Sequence, residues 1–371
     1  MPMNKILIQF FLLWLVLLFA VGAASIHFRT YGNGKCLVRN QLPYYRWDSF
    51  WYTSIARHGY SFSTEKNSSI AYFPLYPLSI RAIHAVTNVK EPKISLAENI
   101  LFAFCSVILL FRLARFDYDV RISRNIVLAW LFFPPAYFFL SGYPEALFVF
   151  LVIASFWFAR KGEWGRAGLA SALLAVTKPY GILILPALFV EYATQNGWNL
   201  RLFMKRADWL PLLAPLATFG AFIAYNAVAF GHPLAFLDAQ ATWGRSIGNP
   251  LPALSAEAEH YAFGGHALSG SGFPYLTYVA EFLFALLAIR PSWHRVRPSY
   301  LVFSVLLLLL ALLTGTLTSF GRYMLDGVFL IMGLVLYLSE KKKPVFMAYL
   351  AVSAVSMLFL ANLFARCFPV E

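Results

Sequence analysis

Charge is what this sequence has least of. Only 13% of its 371 residues are Asp, Glu, Lys or Arg, about half the ~25% of an ordinary soluble domain. That shortfall excludes a soluble globule and a disordered chain. Cysteine is scarcer still: Cys36, Cys105 and Cys367 stand far apart in no metal-ligand spacing, so neither a disulfide framework nor a zinc site is expected. No internal repeat is visible, which weakens a transporter reading, because many transporters are duplicated. What the sequence does have is hydrophobic residues, 60% of the chain, with aromatics alone at 18%. They gather into runs of 16–20 residues that recur from end to end, the signature of helices that each cross a bilayer.

Reading those runs against their basic punctuation places spans near 6–24, 94–111, 125–140, 145–159, 167–177, 181–195, 209–228, 272–289, 299–313, 323–338 and 345–364. An all-α integral membrane protein of about 11 transmembrane helices, forming one domain over 1–371, is therefore expected. The apolar core of the first segment exceeds that of a signal peptide, so it reads as an uncleaved first helix. One set of connections holds Lys5, Arg112, Arg115, Arg121, Arg124, Arg160, Lys161, Arg166, Arg201, Lys205, Arg206, Arg290, Arg295, Arg297 and Lys341 to Lys343. The opposite short connections and C-terminus hold Lys178, Arg245, Arg322 and Arg366. Basic residues mark the cytoplasmic side, so the N-terminus is cytoplasmic and the long 25–93 segment lies outside. The net charge of +13 is thus mostly a topology signal, and no nucleic-acid partner is expected.

Residues 167–195 must cross an even number of times between two cytoplasmic clusters. Two halves of about 14 residues each rise roughly 20 Å, short of a ~30 Å hydrocarbon core. The break, Thr177-Lys178-Pro179-Tyr180-Gly181, reads as the tip of a helical hairpin holding Lys178 in a polar cavity, since broken backbone at membrane depth needs such surroundings. In the outer segment 25–93, Trp47, Trp51 and Ile55 recur every four residues and predict an interfacial helix with Gly59 as its C-cap. Asp48 stands at that helix's N-terminal end, where the dipole and Arg46 favour a carboxylate; a simple helix-capping role competes with a functional one. A second interfacial helix is expected over 78–86, carrying Arg81 and His84. The other sizeable outer segment is 229–271. Its Glu257-Ala258-Glu259-His260 stretch reads as a surface charge cluster.

Several elements then fall into a familiar order. Trp47-Asp48 with Ile55-Ala56 and Gly59-Tyr60, followed by Tyr72-Phe73-Pro74-Leu75-Tyr76-Pro77, resembles the first luminal loop of the GPI mannosyltransferase II (PIG-V) family. Phe133-Pro134-Pro135 with Ser141-Gly142-Tyr143-Pro144-Glu145-Ala146-Leu147-Phe148 resembles that family's Tyr-x-Glu-Ser-Leu-Phe element, with Ala146 in place of the serine. Thr177-Lys178-Pro179-Tyr180-Gly181 is similar to a Thr-Arg-Pro-x-Gly break of bacterial relatives, with lysine replacing arginine. Gly231-His232-Pro233, Trp243-Gly244-Arg245 and Ser319-Phe320-Gly321-Arg322-Tyr323 resemble later outer turns of those relatives.

The resemblance implies a GT-C bundle, an inverting glycosyltransferase that takes its sugar from a polyprenyl-phosphate carrier, and a catalytic role for Asp48 in the first loop. In such a reaction the carboxylate accepts the acceptor's proton as C–O bonding develops, and cations stabilise the departing phosphate. The lone outer cations Lys178, Arg245 and Arg322 are the candidates for that task, with snorkelling to headgroups as the alternative. Arg46, His58, Tyr143, Glu145, Gln240 and Trp243 make up the wider set of candidate substrate contacts. Trp243 could stack on a sugar face, with Asp238 beside it, and Glu145 could either bind acceptor hydroxyls or complement its helix dipole. For His58, as for Arg57, Arg81 and His84, a solvated face or headgroup contact competes. Asp326 and Glu281 fall inside apolar spans, where an ion must be paired or protonated.

The sequence has no glycine-rich phosphate loop, so a nucleotide-sugar donor is not expected. No cofactor or metal site is expected either, with divalent-metal dependence left open. The partners implied are a polyprenyl-phosphate sugar, a lipid, glycan or protein acceptor, and the bilayer. Short cytoplasmic connections favour a bacterial inner membrane with the site facing the periplasm over an endoplasmic reticulum. A lipid-linked glycan ligase or polymerase, with its chemistry in 229–271, and a transporter or flippase are the competing functions.

Overall fold

A computed structural model describes residues 2–25, 42–199, 205–245, 248–249, 255, 272–314, 317, 319–341, 343–368 and 370; most of the 229–271 loop after Arg245, including the Glu257–His260 stretch, lies outside them. The described residues form helices and turns, with no strand among them. In chain order the α-helices are α1 (Pro2–Ser25), α2 (Asp48–His58), α3 (Leu75–Thr87), α4 (Glu91–Ala114), α5 (Val120–Leu131), α6 (Glu145–Arg160), α7 (Trp164–Ala175), α8 (Ile184–Gln195), α9 (Ala214–Phe230), α10 (Ala235–Ala241), α11 (Gly272–Trp293), α12 (Pro298–Leu313), α13 (Phe320–Asp326), α14 (Val328–Ser339) and α15 (Lys343–Ala365).

Among the described residues, Lys5–Ser25, Glu91–Ala114, Leu210–Phe230 and Lys343–Ala365 are long and apolar enough to cross a membrane. The all-α membrane fold is as expected, but several expected spans are broken. The run 125–140 does not stay helical: α5 stops at Leu131, and the chain turns into a 3-10 helix over Pro134–Leu140. Pro134 and Pro135 offer no backbone N–H to continue the ladder. That 3-10 segment meets α6 at 104°. The run 323–338 is likewise two helices, α13 and α14, bent by 74° at Gly327.

The break at 176–183 is as the sequence predicts. Helices α7 and α8 have 12 residues each, about 18 Å of rise. Between them Lys178 is extended and Pro179–Leu183 is a 3-10 turn. Gly181 is required there, because a Cβ would sit 2.1 Å from the Leu174 carbonyl oxygen. The two halves do not pair closely with each other: α7 packs on α6 and α9, and α8 on α12.

Helix α6 is the centre of the bundle. It is apolar and largely buried around its circumference, as a helix enclosed on all sides must be, and it packs on α4, α7, α8 and α13. Each end carries an ion cluster. At its C-terminal end Arg160 binds both oxygens of Asp117, at 2.5 and 2.8 Å, and the Tyr300 hydroxyl at 3.1 Å. Beside it the fully buried Glu191 accepts from Arg297 Nε at 2.7 Å, Ser299 Oγ at 2.6 Å and Gln195 Nε2 at 2.7 Å. The cluster at the N-terminal end holds the candidate site.

Cys367, just past α15, is disulfide-bonded, while Cys105 is free. A single such bond is not the framework that the sequence argued against. Spacing along the chain does not report which thiols the fold brings within bonding distance.

Candidate active site

Helix α2 begins at Asp48 itself and ends at Gly59, whose φ of 82° and N–H to the Ile55 carbonyl make it the C-cap. The expected Trp47–Trp51–Ile55 face is corrected at its first member. Trp47 precedes the helix with φ 45° and is exposed, and the buried face is Ser49, Tyr52, Thr53, Ile55 and Ala56. A left-handed tryptophan is strained, and such strain gathers at functional sites. Here it puts Asp48 on the first turn, where the helix dipole favours negative charge.

The Asp48 carboxylate is held from two sides. Oδ1 accepts from the Tyr72 hydroxyl at 2.9 Å, and Oδ2 from Arg322 Nη1 at 3.0 Å. Its backbone N–H donates to Tyr143 Oη at 3.3 Å. Burial and the Asp48 charge push the Tyr72 phenol well above the usual tyrosine range, so it stays protonated as the donor. The Asp48 side chain keeps 21% exposure, unlike the acids behind it.

Arg322 comes from α13, which also starts after a left-handed residue, Ser319 at φ 65°. Its guanidinium lies 4.6 Å over the Tyr143 ring and sends Nε to Glu145 Oε1 at 2.6 Å. The same oxygen accepts from Lys178 Nζ at 2.9 Å, and Lys178 also donates to Asp326 Oδ2 at 2.9 Å. The Tyr180 hydroxyl donates to that Asp326 oxygen at 2.9 Å. Glu145 and Asp326 are fully buried. The second oxygen of each, Glu145 Oε2 and Asp326 Oδ1, has no partner among the described residues.

In front of this cluster lies a cavity of about 690 Å³. Asp48, Tyr72, Lys178, Arg245 and Arg322 line it, with Gln240 and Trp243 on the wall from α10 and the turn after it. Among the described residues Arg245 is held by neutral hydroxyls, Tyr323 Oη at 3.4 Å and Ser319 Oγ at 3.2 Å. Of the three predicted cations it is the one with no carboxylate partner among the described residues. The Trp243 ring stands edge-on to Trp51 at 5.5 Å and to Tyr72 at 6.0 Å.

The structure thus brings Asp48, Lys178, Arg245, Arg322, Gln240 and Trp243 to one cavity and leaves four predicted contacts off it. Arg46 is spent on the carbonyls of Leu42, Tyr45 and Ala365, which ties the loop to the end of α15. His58 is exposed on the last turn of α2 and does not line the cavity. Tyr143 and Glu145 are buried behind Arg322 rather than open to an acceptor, so Glu145 acts as a counter-ion. Gln240 faces the cavity, but its amide already donates to the Ala71 carbonyl at 2.9 Å. Asp326 is paired, as expected of an acid in an apolar run. Glu281 instead accepts from the Gly321 N–H, just before Arg322. Tyr72 and Tyr180 carry site hydrogen bonds that no spacing rule singled out. Tyr72 sits inside the Tyr72–Pro77 motif, a tyrosine beside a proline break in the long 25–93 segment, and that was its only signal. Among the described residues no group of three His, Cys, Asp or Glu side chains is gathered to hold a metal.

Comparison with known proteins bears on the family resemblance and the fold. The family model described as Mannosyltransferase (PIG-V) matches residues 35–210, a segment that includes Asp48, Tyr72, Glu145 and Lys178. The curated mouse protein GPI alpha-1,6-mannosyltransferase 2 is 25% identical over 244 residues, 62% of this chain and 46% of its own length. Among solved structures, ArnT from Cupriavidus metallidurans, crystallised with undecaprenyl phosphate, has a TM-score of 0.57 at 13% identity, covering 95% of this chain and 63% of ArnT. The Archaeoglobus fulgidus oligosaccharyltransferase has a TM-score of 0.50 at 13% identity, covering 96% of this chain and 53% of that one. The chain therefore spans about half the length of the first of these relatives. The resemblance to the PIG-V mannosyltransferases read from the loop motifs is thus borne out, in a chain whose fold is that of the GT-C membrane glycosyltransferases.

Proposed function

We propose that this protein is an inverting, mannosyltransferase-like glycosyltransferase that moves a sugar from a polyprenyl-phosphate carrier to an acceptor hydroxyl on the extracytoplasmic face of a bacterial cell membrane. The observation that carries the reading is the single cavity onto which Asp48 and three cations open. The acceptor oxygen bonds to the anomeric carbon as the C–O bond to phosphate breaks. The acceptor's proton passes to Asp48, and the electron pair of the broken bond leaves with the phosphate. Each Asp48 oxygen accepts one hydrogen bond and keeps a lone pair for that proton. The general-base assignment accounts for a rate contribution of about 10²–10⁴-fold.

The growing phosphate charge needs cations that are not already neutralised. Arg245 meets that condition best. Arg322 has Nη2 left over after Glu145 and Asp48 have taken Nε and Nη1. Lys178 is matched by two carboxylates and adds its field from behind. The ArnT neighbour, solved with undecaprenyl phosphate, supports an isoprenoid phosphate as carrier, and the mouse relative supports mannose. The basic-residue asymmetry supports an outward-facing site. So does disulfide-bonded Cys367, since such bonds persist in oxidising compartments. Purified protein in lipid nanodiscs, given polyprenyl-phosphate mannose and a mixture of lipid and glycan acceptors, should release polyprenyl phosphate. Asp48→Asn should stop that release while folding normally, and undiminished turnover in that variant would remove Asp48 as the base.

A further inference from the structure

We infer that Tyr72 is the positioning residue of Asp48, holding one carboxylate oxygen so that the other lone pairs face the cavity; this rests on the transferase reading above. The loop that carries Tyr72 reaches Asp48 across 24 residues of sequence, and their contact is a single hydrogen bond of 2.9 Å. The Tyr72 ring is fixed independently of that bond. It is stacked on Trp51 at 5.7 Å, edge-on to Tyr52 at 5.1 Å and edge-on to Trp243 at 6.0 Å. Three aromatic neighbours leave the hydroxyl little freedom, so it can set where Oδ1 lies.

A carboxylate on the first turn of a helix has no backbone to fix its χ2, which for Asp is a broad, shallow torsion. Two donors on opposite oxygens define the carboxylate plane. One of them, Arg322, also faces the cavity and is proposed to share itself with a phosphate. Tyr72 is uncharged and has no such second duty, so it is the donor that stays when a substrate arrives. Its phenol remains protonated because burial and the adjacent carboxylate both oppose ionisation. Holding a base within a few tenths of an ångström of its productive place is what a near-attack geometry requires. Packing alone would need only the ring, and the hydroxyl is therefore the part to test.

Tyr72→Phe keeps the ring and removes the bond. In the full-length protein it should lower kcat about 10–100-fold with donor KM within twofold of wild type. Tyr44→Phe is the matched control. It deletes another buried loop hydroxyl, one that donates to the Leu18 carbonyl at 2.6 Å, and should leave kcat unchanged. A second readout needs no turnover: carbodiimide coupling of an amine probe to Asp48, followed by mass spectrometry, should run about threefold faster in Tyr72→Phe than in wild type or Tyr44→Phe. An unchanged labelling rate at Asp48 overturns the positioning role whether or not the transferase reading stands. A kcat loss equal in both tyrosine variants overturns it too. Faster labelling in a protein that transfers no sugar supports the geometry and sinks the transferase reading alone.

Discussion

The two ends of α6 carry ion clusters of similar composition and opposite design. At the C-terminal end, Glu191 uses both oxygens: Oε2 takes Arg297 and Ser299, and Oε1 takes Gln195, with Arg160 Nε at 3.7 Å. At the N-terminal end, Glu145 uses one oxygen for two cations, and its other oxygen, like Asp326 Oδ1, has no partner among the described residues. A buried acceptor needs a bond, and these two oxygens keep accepting capacity that the described residues of the cluster do not use. The satisfied cluster joins α6, α8 and α12. The under-satisfied one backs a cavity of about 690 Å³ whose rim carries Arg245, a cation with no carboxylate partner among the described residues. Polar groups that saturate each other brace a fold, while groups kept partly unspent can bind something else.

The largest effect that tests this contrast is at the exposed edge of the unsatisfied cluster. Asp48→Asn is expected to cut turnover by about 10²–10⁴-fold with little change in melting temperature, because the swap is isosteric and the side chain keeps contact with water. Next come the two buried glutamates. Glu145→Ala takes a shared counter-ion from the buried Lys178 and Arg322 and should destabilise by about 3–5 kcal/mol; Glu191→Ala takes one from the partly exposed Arg297 and should cost less, both read by thermal unfolding in detergent. They should part on activity. Glu191→Ala keeps wild-type kcat per folded molecule, and Glu145→Ala loses it, because Arg322 and Lys178 both rest on Glu145. Equal loss of kcat would abolish the distinction between the two ends.

A smaller effect is expected at Arg245. Its bonds within the protein are long and to neutral groups, so Arg245→Ala should leave stability almost unchanged. Donor KM should rise about 10–100-fold, the worth of one or two hydrogen bonds to a charged group. A melting temperature that falls as far as in Glu145→Ala would show Arg245 to be structural. The smallest effect belongs to the surface pair of Arg295 with Glu340, at 2.8 Å and about one-third and one-half exposed. Water and salt screen such pairs, so Arg295→Ala should move neither melting temperature nor kinetics.

Much of the architecture was legible from hydropathy alone, because long apolar runs satisfy their backbone groups within one segment in lipid by forming helices. Helix ends were harder. The break at 178–183 was readable, since Pro179, Gly181 and a charge coincide there. The one at Gly327 was not, because a lone glycine in an apolar run does not mark a bend. The proline pair at 134–135 was visible, yet a 3-10 continuation bent by 104° from α6 depends on what that segment packs against. At the site, Asp48 and the lone outer cations stood out because an isolated charge in an apolar protein is conspicuous. Glu145 was visible too, but whether it faced an acceptor or a cation could not be read from one dimension.

The sequence by itself determined the membrane class and singled out the handful of charges that stand in apolar surroundings, since each follows from the cost of placing a charge or a bare peptide group in hydrocarbon. Only the tertiary structure decided which charges cancel. Residues 48, 145, 178, 322 and 326 lie on α2, α6, the turn before α8 and α13, and their separations of 2.6–3.0 Å are set by how those segments pack. Electrostatic partnership falls off within a few ångströms, and no pattern along the chain records distances that short between residues so far apart in it.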